Sequence, residues 1–277
     1  MVFSKLLILG CGYTGSRVLE QGLARGLEVT ATVRSEASAS GPRAIAARFP
    51  AAVARTIVAP VLTREVVGSV GKDTHVVVAF PSDGHTDATV APWLADAFSV
   101  AYISSTGVYG EVRGRIDDTT PLPAARDDRG RRLLDAEQQY RAIGGTVLRS
   151  PGIYGPDRGL HRRVQRGEHR IPGDGSRFTS RIHADDLAQF ALAAAGVRGE
   201  TFVVGDEKPV PHLEIVRFVC ERYGLPLPPS VPFDEVHASL RADRAIDSSR
   251  ARAQLGVKLR YPTYREGLGD LGDGSRK

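Results

Sequence analysis

Leu6-Leu7-Ile8-Leu9-Gly10-Cys11-Gly12-Tyr13-Thr14-Gly15 is the stretch that decides how this chain folds. Four apolar residues run without a break into glycines spaced G-x-G-x-x-G. A short uninterrupted apolar run points to a strand buried on both faces, as in a parallel sheet. Gly10 permits the tight turn out of the strand, Gly12 lets a pyrophosphate approach the backbone, and Gly15 lets the next helix pack closely. That helix is predicted from Ser16 to about Ala24, with Val18, Leu19 and Leu23 at helical spacing and Gly26 as its stop. A strand from Glu28 to Val33 completes a βαβ unit. The loop Gly10, Cys11, Gly12, Tyr13, Thr14 and Gly15 is therefore read as a dinucleotide site.

The end of the second strand bears on which dinucleotide. A ribose 2′-hydroxyl is usually held there by a carboxylate and a 2′-phosphate by a base. The strand ends Thr32-Val33-Arg34-Ser35, with no carboxylate before Glu36. Arg34 offers a planar fork to a phosphate and Ser35 a hydroxyl, which favours NADP(H) and leaves NAD(H) as the second option.

Working outward, Ala37–Phe49 reads as a helix interrupted at Gly41-Pro42, Thr56–Val58 as a third strand and Arg64–Val70 as a short helix. His75 to Pro81 is a fourth strand, Asp87–Phe98 a helix, Val100–Ser104 a fifth strand and Thr146–Arg149 a sixth. This alternation predicts a doubly wound parallel α/β sheet, a Rossmann domain over residues 1–155. Residues 156–277 read as a smaller substrate lobe, with segments near 181–205 returning to the main sheet. Within them lie a short strand at Arg181–His183, a helix from Asp185, a strand at Thr201–Gly205, an amphipathic helix at His212–Tyr223 and a last helix near Ser249–Leu255.

The chain has 277 residues, 42% hydrophobic and 25% charged, with a net charge of +5. These are the proportions of an ordinary globular protein. The basic residues are spread out except for a loose arginine group between Arg158 and Arg181. No basic stripe with interleaved aromatics argues for nucleic acid, and no apolar run reaches the length of a membrane span. Two cysteines, Cys11 and Cys220, suit a reducing, cytoplasmic setting rather than a disulfide framework. The expected partner is a small-molecule substrate. His161, Arg162, Arg163, Arg166, His169 and Arg170 form a cationic stretch, read either as solvated surface or as a seat for an anionic group. The oligomeric state is not fixed by the sequence. His183, Asp185 and Asp186 are better explained as the first turn of a helix than as a metal site.

Several runs in order carry a family likeness. They are the glycine loop, Ala79-Phe80-Pro81, Ile103-Ser104-Ser105-Thr106-Gly107-Val108-Tyr109-Gly110 and Leu148-Arg149-Ser150-Pro151-Gly152-Ile153-Tyr154-Gly155-Pro156. Arg181-Ile182-His183-Ala184-Asp185-Asp186-Leu187 follows. The sequence resembles an extended short-chain dehydrogenase/reductase of the NAD-dependent epimerase/dehydratase type. The resemblance implies cofactor contacts at Ala79, Phe80, Pro81 and Pro151, and hydride transfer at a carbon bearing oxygen. It places Ser105 as the hydroxyl that binds the substrate oxygen, with Thr106 as its substitute.

The family pattern then breaks. A tyrosine with a lysine four residues on normally moves the proton. Leu134-Asp135-Ala136-Glu137 aligns with the run that follows that pair, which puts Arg129 at the tyrosine and Leu133 at the lysine. No tyrosine of this chain has a lysine four residues after it. Arginine, with a pKa above about 12, is a poor proton donor. Three readings stay open: an oxidoreductase with a relocated acid at Tyr109, Asp127 or Asp128, a cofactor-binding sensor without turnover, and a sugar-nucleotide epimerase or dehydratase.

Overall fold

In a computed structural model that describes residues 3–68, 70–124, 127–237 and 240–269, seven parallel strands form the main sheet. The first five are β1 (Lys5–Leu9), β2 (Glu28–Val33), β3 (Ala54–Val58), β4 (Thr74–Val78) and β5 (Ser99–Ser105). Across the sheet the order is Thr201–Val203, Thr146–Ser150, β5, β4, β1, β2, β3. β1 sits centrally because it is apolar at every position that must be dry: Leu6 to Leu9 are all buried, and Ile8 lies opposite both Ala31 and Val77.

Alternation within each strand feeds two separate cores. Leu6, Ile8, Val29 and Val77 face one way, against α1 (Tyr13–Ala24), α2 (Glu36–Ala47) and, later in the chain, α7 (Ala184–Ala193). Leu7, Leu9, Val76, Val78 and Tyr102 face the other, where α3 (Arg64–Val67), α4 (Thr86–Val90) and α5 (Asp128–Ala142) pack. His75 is buried on the first face without cost in hydrogen bonds: its Nε2–H donates to the Ala191 carbonyl at 3.0 Å, so Nδ1 accepts from the Ser99 hydroxyl at 2.8 Å.

Where elements differ from expectation, the cause is local. α1 begins three residues early because Gly12, not a side-chain cap, serves as its N-cap. α2 runs straight through Gly41-Pro42, with Pro42 buried inside it. Pro92 helps convert the helix expected to reach Phe98 into α4 followed by a 3₁₀ turn at Ala91–Leu94. β4 ends at Val78, so Ala79-Phe80-Pro81 is loop. The third helix stops at Val67, and Ser69 of the expected Arg64–Val70 helix lies outside the described residues.

The lobe is stitched from two-stranded ladders. Gly152–Tyr154 pairs with Arg181–His183, Gly114–Ile116 with Arg244–Ile246, and Phe178–Thr179 with Val210–Pro211. Thus Thr201–Val203 returns to the main sheet, whereas Arg181–His183 does not. α6 (Leu160–Gln165), α8 (His212–Tyr223) and α10 (Tyr264–Gly269) bury Val164, Ile215, Val219 and Tyr264 in the lobe's own core, and α9 (Ser249–Leu255) flanks the sheet edge. Asp186, in the first turn of α7, ties this arrangement together. Its two carboxylate oxygens accept the backbone N–H groups of Arg260 at 2.7 Å and Tyr261 at 3.0 Å.

Candidate functional site

A cleft of about 1030 Å³ opens between the carboxyl ends of the strands and the lobe. Gly12, Tyr13 and Thr14 line one end, with Arg34, Ala79, Phe80 and Pro81 beside them. Ser105, Thr106 and Pro151 line its middle.

The three glycines have three different physical reasons. Gly10 has φ +91°, and a Cβ there would meet Phe80 at 2.7–2.9 Å. A Cβ on Gly15 would strike the Gly10 carbonyl oxygen at 2.5 Å. At Gly12 a Cβ meets nothing within 4 Å. The protein leaves that space open, at the point where the sequence reading expects a pyrophosphate to approach the backbone. Gly12 N-caps α1 with no side-chain hydrogen bond and with no acidic residue in the first turn. The first N–H groups of a 12-residue helix and its positive dipole end are therefore left for an anion. β2 holds the loop in shape: the N–H groups of Gly10 and Cys11 donate to Thr32, to its hydroxyl at 3.0 Å and its carbonyl at 2.7 Å.

Other loop residues have structural tasks. The Cys11 side chain is buried against Ser16, and burial pushes its thiol up to about 11, so it is no thiolate. The Ser35 hydroxyl accepts from the N–H of Ser38 and caps α2. It does not line the cleft, whereas the exposed Arg34 does.

Ser105 ends β5. Its hydroxyl oxygen accepts from the Gly107 N–H at 3.0 Å, which leaves its proton to be donated into the cleft. Beneath it lies a buried polar network that the sequence does not announce. The Ser104 hydroxyl donates to Glu137 at 2.6 Å, and Arg149 forms a pair with the same carboxylate at 2.7 Å. Glu137 is 0% exposed and Arg149 4%, so the pair closes its own charge. Its only sequence signals are an acid on the inner face of α5 and an arginine inside an apolar strand.

That network accounts for Tyr109. The side chain is 0% exposed; its hydroxyl accepts from Arg149 at 3.1 Å and donates to the Asp117 carbonyl at 3.3 Å. Burial raises its pKa despite the adjacent guanidinium. Tyr109 does not reach the cleft, because the 3₁₀ turn after Ser105 points it inward. The other relocated acids fare no better: Asp127 caps α5 through the Gly130 N–H at 2.7 Å, and Asp128 pairs with Arg131. Arg129 and Leu133 do line the cleft, beside Gly107. No lysine lines it among the described residues, and Lys72 and Lys208 lie elsewhere.

The cationic stretch divides. His161, Arg162, Arg163 and Arg166 enter the cleft wall, while His169 is buried behind it against His212, with their Nε2 atoms 2.9 Å apart. Nine arginines line the cleft against one carboxylate, Asp157, among the described residues. Asp185 and Asp186 begin α7 as expected, and His183 accepts the Asp185 N–H through Nδ1 at 3.2 Å.

No protein-family model matches the sequence. Among curated proteins, the chain is 29% identical over 177 residues to a 3-diazoavenalumate denitrifying reductase of a Streptomyces species. The match covers 56% of this chain and 58% of that protein. Among solved structures, a conserved protein of unknown function from Silicibacter pomeroyi superposes with a TM-score of 0.82 and 30% identity, over 97% of this chain and 98% of that one. A Methylobacillus flagellatus chain assigned by name to the NAD-dependent epimerase/dehydratases gives 0.67 and 28%, over 97% of each. MoeE5, solved with UDP-glucose and NAD, gives 0.77 and 21% over 96% of each, a likeness of fold.

Proposed function

This chain has the fold of the NAD-dependent epimerase/dehydratase family, and from that premise we propose that it is a nicotinamide-dinucleotide oxidoreductase. In this reading it prefers NADP(H) and reduces a small substrate without the usual tyrosine–lysine relay. The observation that carries the reading is the vacant space over Gly12 at the uncapped start of α1, in one cleft with the Ser105 hydroxyl.

Each residue then has a task. The N–H groups at the start of α1 hold the pyrophosphate and Arg34 takes the 2′-phosphate. Ala79, Phe80, Pro81 and Pro151 form the walls beside it. When bound, the nicotinamide supplies the hydride. Ser105 donates to the substrate oxygen, with Thr106 behind it, and Arg129 offers a fixed positive charge where the family has its tyrosine. An arginine stabilises negative charge but does not give up a proton, so the favoured acceptors are those whose reduced form is a stabilised anion or takes its proton from water. The curated relative named as a reductase supports the reductive direction.

The test is NADPH oxidation against a panel of aldehydes, ketones and sugar nucleotides, alongside cofactor affinities. Arg34→Ala is expected to weaken NADPH about tenfold to a hundredfold and NADH hardly at all. An equal effect on both, or a wild type preferring NADH, removes the NADP(H) assignment. A second reading, a cofactor-binding sensor, is favoured by Leu133 standing where an ammonium is needed. Tight NADPH binding with no turnover on any of the panel selects it.

A further inference from the structure

The lobe side of the cleft has a composition that the cofactor does not explain. Arg163 and Arg181 are half-buried in its wall, and among the described residues neither has a carboxylate within 4.0 Å. Glu168, the acid near Arg163, is taken by Arg166 at 2.9 Å. The Arg181 guanidinium donates to the Thr179 hydroxyl at 2.7 Å, and the acid that faces it, Asp206, is 2% exposed, with neither oxygen hydrogen-bonded. Burial pushes Asp206 up to about 7, so it only partly offsets that charge near neutral pH. Both arginines face one group, His212, which lines the same wall; burial first, then His169 and the two arginines, push its pKa down to about 3. Two guanidinium groups thus share a space whose histidine stays neutral. A half-buried cation whose charge is only partly offset is costly, and a bound anion lowers that cost.

Apolar side chains stand among these polar groups. Phe178 is 41% exposed, one of few large hydrophobic side chains left so among the described residues, and it lines the cleft. Its backbone is pinned there. Its N–H donates to Asp243 at 2.9 Å, and Ser180 pins the neighbouring strand, donating to the Arg244 carbonyl at 3.0 Å and accepting the Ile246 N–H at 2.8 Å. Leu160, Ile215 and Leu240 add apolar surface beside Thr179, Ser180 and Arg244. A sugar would bring hydroxyls that want acceptors, and the one carboxylate in the lining among the described residues, Asp157, already faces Arg162 at 3.6 Å.

We propose that this end of the cleft binds an aromatic carboxylate, its ring against Phe178 and its carboxylate between Arg163 and Arg181. Guanidinium forks fit a carboxylate in two-point fashion, and an exposed ring offers a planar face to another. The assignment rests on the oxidoreductase reading, since it names the substrate class for the same cleft.

Calorimetry on the NADPH-loaded protein tests it, with trans-cinnamate and 2-naphthoate, their neutral carboxamides, and UDP-glucose as probes. The acids are expected to bind and the carboxamides to bind about tenfold or more weakly. Arg163→Gln should reduce acid affinity by a similar factor, and Phe178→Ala should weaken acid and carboxamide alike. Neither change should move NADPH affinity by more than about twofold, because neither residue belongs to the Gly10–Gly15 loop or to the Arg34 end of β2. If neither NADPH nor NADH binds the wild type, the oxidoreductase reading falls. If NADPH binds but the acids bind no better than their carboxamides, or UDP-glucose binds more tightly than either acid, this assignment alone is overturned.

Discussion

At Gly12 and Gly15 the same residue type answers opposite demands, and substitution separates them. Gly12→Val places its side chain in open space, so circular dichroism and thermal midpoint should stay near wild type while NADPH binding by calorimetry is lost. Gly15→Val drives a Cβ into the Gly10 carbonyl and should cost about 1–3 kcal/mol or more in denaturant unfolding. Retained binding in Gly12→Val would remove the pyrophosphate from this loop. Ser105 is the other decisive residue. Losing its hydroxyl removes a donor to a developing oxyanion, and Ser105→Ala should lower kcat about a hundredfold or more on any substrate found, with cofactor affinity unchanged. The places of Ser105 and Gly12 in the cleft lining are legible in the sequence because each is fixed by short-range geometry. That of Tyr109 is not: four residues of spacing give its distance from Ser105, but the sense of a 3₁₀ turn decides whether it faces cleft or core.

α5 has two working faces. It presents Glu137 inward to the buried Arg149 and presents Arg129 and Leu133 to the cleft. Leu133 is half-buried against the small core of Val108, Tyr109 and Ile116. Leu133→Ala should therefore cost less than the about 2–5 kcal/mol of a fully buried leucine and leave NADPH affinity within about twofold. Glu137→Gln strands a buried guanidinium and should cost about 3–5 kcal/mol in the same unfolding experiment. A loss below about 1 kcal/mol would mean that the pair is not shielded as its burial indicates. The main-sheet strands are readable because burial on both faces writes them as apolar runs. The lobe's ladders are two or three residues long and join segments as distant as Gly114 and Arg244, so no local pattern announces them. At Gly41-Pro42 local propensity misleads, because packing of the whole of α2 on the sheet outweighs one missing N–H.

For the molecule as a whole, acid stability depends on histidines buried neutral. Burial pushes His75 down to about 4, against an ordinary value of 6.5. Its contribution is complete above about pH 6.5 and is lost as pH falls toward 4, because the unfolded chain takes the proton first. Asp186 and Asp206, raised by burial to about 6 and about 7, titrate with the opposite sign in an overlapping range. The comparison that isolates His75 is wild type against His75→Asn. The wild type's advantage in denaturant unfolding should be full near pH 7.5 and should shrink by about 1.4 kcal/mol for each pH step of one between about 6.5 and 4. A pH-independent gap would show that His75 is not held neutral. The Asp186 clamp has a consequence in time as well as in space. Its carboxylate lies 74 residues upstream of the first N–H it binds, Arg260. While the ribosome is still adding the intervening residues, the start of α7 has a carboxylate with nowhere to go. The clamp therefore closes only after residues 260 and 261 have been added, later than the sheet and helix it joins.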